Sequence, residues 1–173
     1  MLKQDQTLNQ INSLPFSEFV RIIGPVFEDS PWIAEAAWPK RPFVNREALH
    51  RTLCEIVRGS GEEKQLALIR AHPDLVGRAA LAGTLTLQSA SEQASAGLDK
   101  LTGDEVRAFE QFNRAYQDKF GFPFVVCARL NKKEAILNGF EVRLKNSKEQ
   151  EIKIALEEIY KIAYLRLQDI INS

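Results

Sequence analysis

His72, one of two histidines in the chain, stands directly before a proline in the stretch "RAHPDLVGRAALAG". Proline restricts the preceding residue to extended conformations and cannot continue a helical hydrogen-bond ladder, so His72 is expected at a junction between elements. Two readings fit. One is a structural or surface turn. The other is an imidazole aimed at a reacting group, where it can accept or relay a proton near neutral pH. If Pro73 opens a helix, the nearby positive helix terminus favours a neutral ring.

A second candidate is "SASEQASAGL", beginning at Ser89. Ser89 and Glu92 have capping-box spacing, which predicts that Ser89 starts a helix and Glu92 braces it. The alternative makes Glu92 a carboxylate facing a cleft, with the Gln93 amide beside it offering both a donor and an acceptor. A third candidate is Arg166. In the last helix Ile152, Ala155, Ile159, Ile162, Ala163 and Ile170 form an apolar stripe, and Arg166 falls on it. An arginine there either snorkels to solvent or needs an anion, and the expected anion is Glu92 or an anionic ligand.

Cys127 could pair with a histidine as a nucleophile, although its apolar surroundings suit an inert buried thiol. The two cysteines, Cys54 and Cys127, do not form a disulfide framework. His50 and His72 have no partners at metal-ligand spacing, so no metal is expected. No glycine-rich phosphate loop points to a bound cofactor either.

The elements that must carry these groups read as helices almost throughout. "SEFVRIIGPVFE" has a broad apolar face at Phe19, Val20, Ile22 and Ile23, and "WIAEAAW" continues helically to Pro39. "NREALHRTLCEIVRG" repeats apolar positions at Leu49, Leu53, Ile56 and Val57 and stops at Gly59, while "GEEKQLALIRAH" runs into Pro73. Thr102 and Glu105 open another helix at capping-box spacing; its stripe is Val106, Phe109, Phe112 or Asn113, Tyr116 and Phe120, and Gly121 closes it. "FPFVVCA" is short and apolar, and as a lone strand it would lack partners, so it is expected as a buried extended connector. "KKEAILNGFEVRL" is helical, and Ser147 with Gln150 caps the last helix. The fold class expected is all-α, a single compact multi-helix domain over residues 1–173.

Composition narrows the function classes. Lysine plus arginine and aspartate plus glutamate each number 23, so net charge is zero, without the basic excess of a general nucleic-acid or membrane-surface binder. No apolar run approaches membrane-spanning length. The polar "MLKQDQTLNQ" lacks the apolar middle of a signal peptide and "DIINS" is no peroxisomal signal, so the cytoplasm is the expected compartment.

Taken in order, "AHPDL", "SASEQASAGL", "FNRAYQDKFGFPFVVCARL" and a last helix ending "IYKIAYLRL" resemble the OHCU decarboxylase family. The resemblance extends to the N-terminal "LPFSEFVRIIGPVFEDSPWIAEAAW". It implies an all-helical, cofactor-free lyase, commonly a homodimer. The implied substrate is 2-oxo-4-hydroxy-4-carboxy-5-ureidoimidazoline, an intermediate of purine breakdown, and the implied product is (S)-allantoin. The family's catalytic histidine falls on His72, with Pro73 lining the pocket. Its Ser-x-x-Glu-Gln motif falls on Ser89, Glu92 and Gln93. The substrate-holding segment falls on Phe124, Val125, Val126, Cys127 and Ala128, and the last-helix arginine on Arg166. In this reading Glu92 and His72 form a proton-handling pair. Two rival readings are a helical binding module without catalysis and a Cys127–His72 hydrolase.

Overall fold

The computed structural model describes residues 6–172; the side chains of Arg78 and Ala79 fall outside the description, as do the outermost residues, 1–5 and 173, of the terminal stretches read above for targeting signals. The element order is β1 (Gln6–Thr7), α1 (Leu8–Ser13), α2 (Phe16–Ile23), α3 (Trp32–Ala37), α4 (Arg46–Arg58), α5 (Glu62–Ala71), α6 (Arg78–Leu81), α7 (Leu87–Ser95), α8 (Gly103–Phe120), α9 (Lys133–Arg143), α10 (Lys148–Ile170) and β2 (Ile171–Asn172). The helical class is the one the apolar periodicity calls for. A feature outside that reading is the parallel pairing of β1 with β2, Gln6 opposite Ile171 and Thr7 opposite Asn172. Two residues per strand are too few to leave a period-two pattern.

The chain forms two compact units. The first runs to Ala71 and resumes at Tyr160; the second is His72–Ile159. In the first unit, α2, α3 and α4 bury Phe19, Ile23, Ile33, Ala34, Leu49, Leu53 and Val57. Asn45 caps α4 by accepting from the Ala48 amide at 2.7 Å. Pro39, expected to end the helix before it, lies instead inside a 3-10 turn, Trp38–Lys40, that prolongs α3. An early position in a helical turn needs no proline N–H, so the ring is accommodated there.

The second unit has an aromatic core. Phe124 and Phe140 stack at 3.8 Å between centroids, and Tyr116 meets Phe120, Phe122 and Phe124. Helix α8 begins with the expected capping box of Thr102 and Glu105, and it ends at Gly121 with φ +78°, where a side chain would be strained. Ser147 and Gln150 exchange the two hydrogen bonds expected at the start of α10. Residues 123–127 are neither helix nor strand and run, largely buried, as the expected connector.

Candidate functional site

His72 follows α5 and is buried to 8 % exposure. Pro73 does not open a helix. It leads into a turn, Asp74 to Gly77, closed by the Gly77 amide on the Asp74 carbonyl at 3.3 Å. The terminus His72 adjoins is thus the carbonyl end of α5, and the argument for a neutral ring from a positive terminus does not apply.

That turn is strained and held. Val76 has φ +53°, an outlier for a β-branched residue. A Cβ at Gly77 would stand 2.6 Å from Asp74 Cβ, so the turn closes only around glycine. The Gln93 side chain straddles it: Oε1 accepts from the Val76 amide at 3.1 Å and Nε2 donates to the Asp74 carbonyl at 3.4 Å. Asn113 Nδ2 donates to the Leu75 carbonyl at 2.7 Å. Three successive residues are fixed by two buried amides, an arrangement that can sustain backbone strain of about 1–3 kcal/mol.

The start of α7 departs from expectation. Its N-cap is Thr86, whose side chain accepts from the Ser89 amide at 3.2 Å. Ser89 therefore sits inside the first turn, which corrects its reading as the cap. Thr86 has the same β-hydroxyl chemistry three residues earlier, and the Ser89–Glu92 spacing pointed to the wrong hydroxyl. Helix α7 buries polar groups and exposes apolar ones: Ser89 and Gln93 are 4 % and 6 % exposed, against 88 % for Leu87. A buried polar face is the informative departure from ordinary burial. Glu92, half-buried, lies one turn along from Ser89.

Helix α7 also packs against the 3-10 turn Ala128–Leu130, which ends the connector. The connector is pinned at several peptide groups. The Cys127 amide donates to Glu158 Oε2 at 3.2 Å, and the Cys127 carbonyl accepts from Asn131 Nδ2 at 2.9 Å. Burial pushes the Cys127 thiol up, and the charges of Glu158 and Glu92 push the same way. This is opposite to the thiolate stabilisation a cysteine nucleophile requires. Within the second unit, α7 thus meets the turn after His72 through Gln93 and the end of the connector at Ala128–Leu130.

Arg166 belongs to the first unit and is buried to 5 %. The anion it meets is Glu28, at 2.8 Å from Nη2, while Nη1 donates to the Pro25 carbonyl at 3.2 Å. Glu28 was not among the partners expected from spacing, because it lies 138 residues away in the chain.

Sequence reasoning also passed over Asn113, Glu158, Arg143 and Glu151. Asn113 shared a helix position with Phe112 in the apolar stripe, an ambiguity that the structure resolves in favour of the buried amide. Glu151 carried a readable signal: it precedes Ala155 and Ile159 at four-residue spacing, and all three are buried. Among the described residues, no three His, Cys, Asp or Glu side chains are grouped to hold a metal ion. No described helix is long and apolar enough to cross a membrane.

Comparison with known proteins bears on what this arrangement does. A family model described as OHCU decarboxylase matches residues 12–168. A 2-oxo-4-hydroxy-4-carboxy-5-ureidoimidazoline decarboxylase of Amia calva is 43% identical over 165 residues, covering 95% of this chain and 94% of that protein. A uric acid degradation bifunctional protein of Bacillus sp. (strain TB-90) is also 43% identical, across 94% of this chain and 32% of its own length. Among solved structures, a crystal structure of (S)-allantoin synthase superposes with a TM-score of 0.79 at 29% identity, covering 97% of this chain and 55% of that one.

Proposed function

We propose that this chain, which belongs to the OHCU decarboxylase family, is a carbon–carbon lyase that decarboxylates 2-oxo-4-hydroxy-4-carboxy-5-ureidoimidazoline to (S)-allantoin in urate breakdown. The observation that carries this reading is the match across residues 12–168, which includes every residue of the candidate site. The buried polar face of α7 and the strapped turn after His72 support it, since both spend stability on placing polar groups.

Loss of carbon dioxide leaves an electron pair on carbon, and decarboxylases need a sink for it. In this substrate the sink is a ring C=N bond conjugated to the carbon that loses the carboxylate. The protein's tasks are then to hold the ring and to manage protons. His72 and Glu92 form the proton-handling pair, at the substrate hydroxyl and the departing carboxylate. The Glu92 charge beside that carboxylate raises its ground-state energy and favours expulsion. Pro73, Ser89 and Gln93 line the substrate, and residues 124–128 hold its ring and ureido amides through backbone groups. Arg166 is assigned to the anionic substrate as well. Protonation from one face makes the product a single enantiomer.

The resemblance further supports a homodimer, which sedimentation tests, and a cytoplasmic compartment completes the reading. The catalytic assignment is tested by His72→Asn and Glu92→Gln. Each removes a positioned acid or base, so kcat should fall about 10²–10⁴-fold with melting unchanged. Near-wild-type turnover in both variants contradicts the pair.

A further inference from the structure

Arg143, at the end of α9, is buried to 8 %, and Glu151 on α10 is fully buried. Arg143 Nε donates to Glu151 Oε1 at 2.7 Å, and Nη1 donates to the Val125 carbonyl at 2.6 Å. Its guanidinium lies 4.1 Å from the Phe124 ring centroid. Glu151 is saturated from other sides: the Tyr116 hydroxyl donates to Oε1 at 2.5 Å and Asn146 Nδ2 to Oε2 at 2.8 Å. Burial drives the Tyr116 phenol far above its ordinary range, so it stays a neutral donor. One fork of the arginine is fixed by this carboxylate, and the other holds a peptide carbonyl of the connector.

We infer that Arg143, oriented by Glu151 and Tyr116, is a positioning residue for residues 124–128 and sets the substrate-facing shape of that segment. A buried ion pair is a costly way to gain stability, and apolar residues of similar volume commonly do as well or better. This pair does something an apolar pair cannot: it satisfies the Val125 carbonyl from a single direction with a planar donor. Together with Glu158 on the Cys127 amide, it holds the segment on both sides of Val126. The inference rests on the proposed function for the claim that this segment meets substrate; the anchoring itself does not depend on it.

The test uses the full-length protein with Arg143→Lys, the double variant Arg143→Met/Glu151→Met, and Tyr116→Phe. A lysine ammonium keeps the charge but cannot serve Glu151 and the Val125 carbonyl in the same fork geometry. Amide hydrogen exchange is read over 122–130 and compared with α8. Folded Arg143→Lys should exchange at least about tenfold faster in that segment alone, with kcat/KM lowered about 10- to 100-fold, chiefly through KM. The double variant should fold but melt below wild type, because the Val125 carbonyl and the Tyr116 hydroxyl lose their partners, and it should fail to restore KM. Exchange and KM within twofold of wild type in a folded double variant overturn the inference. Should neither Arg143 variant fold, Tyr116→Phe decides: faster exchange confined to the segment supports the inference and unchanged exchange overturns it. Should wild type form no allantoin, the proposed function fails, and the exchange data still decide whether Arg143 holds the segment.

Discussion

Gln93 holds Val76 in a left-handed backbone conformation: its Oε1 accepts the Val76 amide at 3.1 Å while Val76 keeps φ +53°. The same side chain holds the Asp74 carbonyl, so one glutamine fixes two residues of the turn that follows His72 and Pro73. Gln93 is therefore a scaffold for the His72 turn as well as a residue of the proposed substrate site.

Strain at Val76 can be read by substitution. Both Val76→Ala and Val76→Gly lose the buried side chain, which is 3 % exposed. Glycine in regular structure is ordinarily less stable than alanine by about 0.5–1 kcal/mol, but a left-handed residue with a Cβ costs roughly 1–2 kcal/mol. Val76→Gly should thus be at least as stable as Val76→Ala in urea denaturation. A glycine variant less stable by the usual margin means that the backbone there carries no strain.

Arg166 separates structural from substrate roles. Arg166→Met removes the cation 2.8 Å from the Glu28 carboxylate and should lower the melting temperature. Arg166→Lys keeps a cation beside Glu28 but loses the planar fork. It should stay folded and raise KM more than it lowers kcat. Lowered stability with unchanged KM leaves Arg166 a structural residue.

Cys127 should be dispensable as a nucleophile. Its thiol is raised by burial and by Glu158 and Glu92, so iodoacetamide should label it far more slowly in native than in unfolded protein. Cys127→Ala should retain activity within about tenfold, since the side chain supplies packing and the backbone the hydrogen bonds. A loss of about 10³-fold or more in folded protein would revive the Cys–His hydrolase reading.

Stability should depend on His50. Its Nε2 lies 2.8 Å from the Tyr160 carbonyl, to which the neutral ring donates, and burial lowers its pKa from the ordinary 6.5. Below pH 6.5 the unfolded chain binds a proton that the folded chain resists, so the unfolded state takes up more protons and stability falls as pH falls. The decline runs from about 6.5 down to the lowered folded value. Melting temperature should drop across that window in wild type, and less steeply in His50→Gln. Parallel slopes in both proteins remove His50 as the cause.

The helices and most of their ends are legible in sequence because local chemistry determines them, whereas the candidate site residues stand on the family resemblance. The boxes at Thr102 and Ser147 and the stop at Gly121 depend on neighbours three or four residues away. What sequence concealed was long-range pairing. Nothing local in Arg166 names Glu28, and nothing in Gln93 names Val76, 17 residues distant. The Thr86 cap was missed because two hydroxyl residues stood at competing positions, and the chain used the one that left Ser89 inside. Arg143 resembled an ordinary basic residue near a helix C-terminus; its role became visible only with the Val125 carbonyl beside it.

The central claim is stereospecific decarboxylation. Circular dichroism followed during urate oxidation by uricase and hydroxyisourate hydrolase, with and without this protein, tests it most directly. The account predicts that an (S)-allantoin signal grows rapidly only when the protein is present, and that His72→Asn abolishes the enhancement. Slow formation of optically inactive allantoin at the same rate in both samples would contradict it.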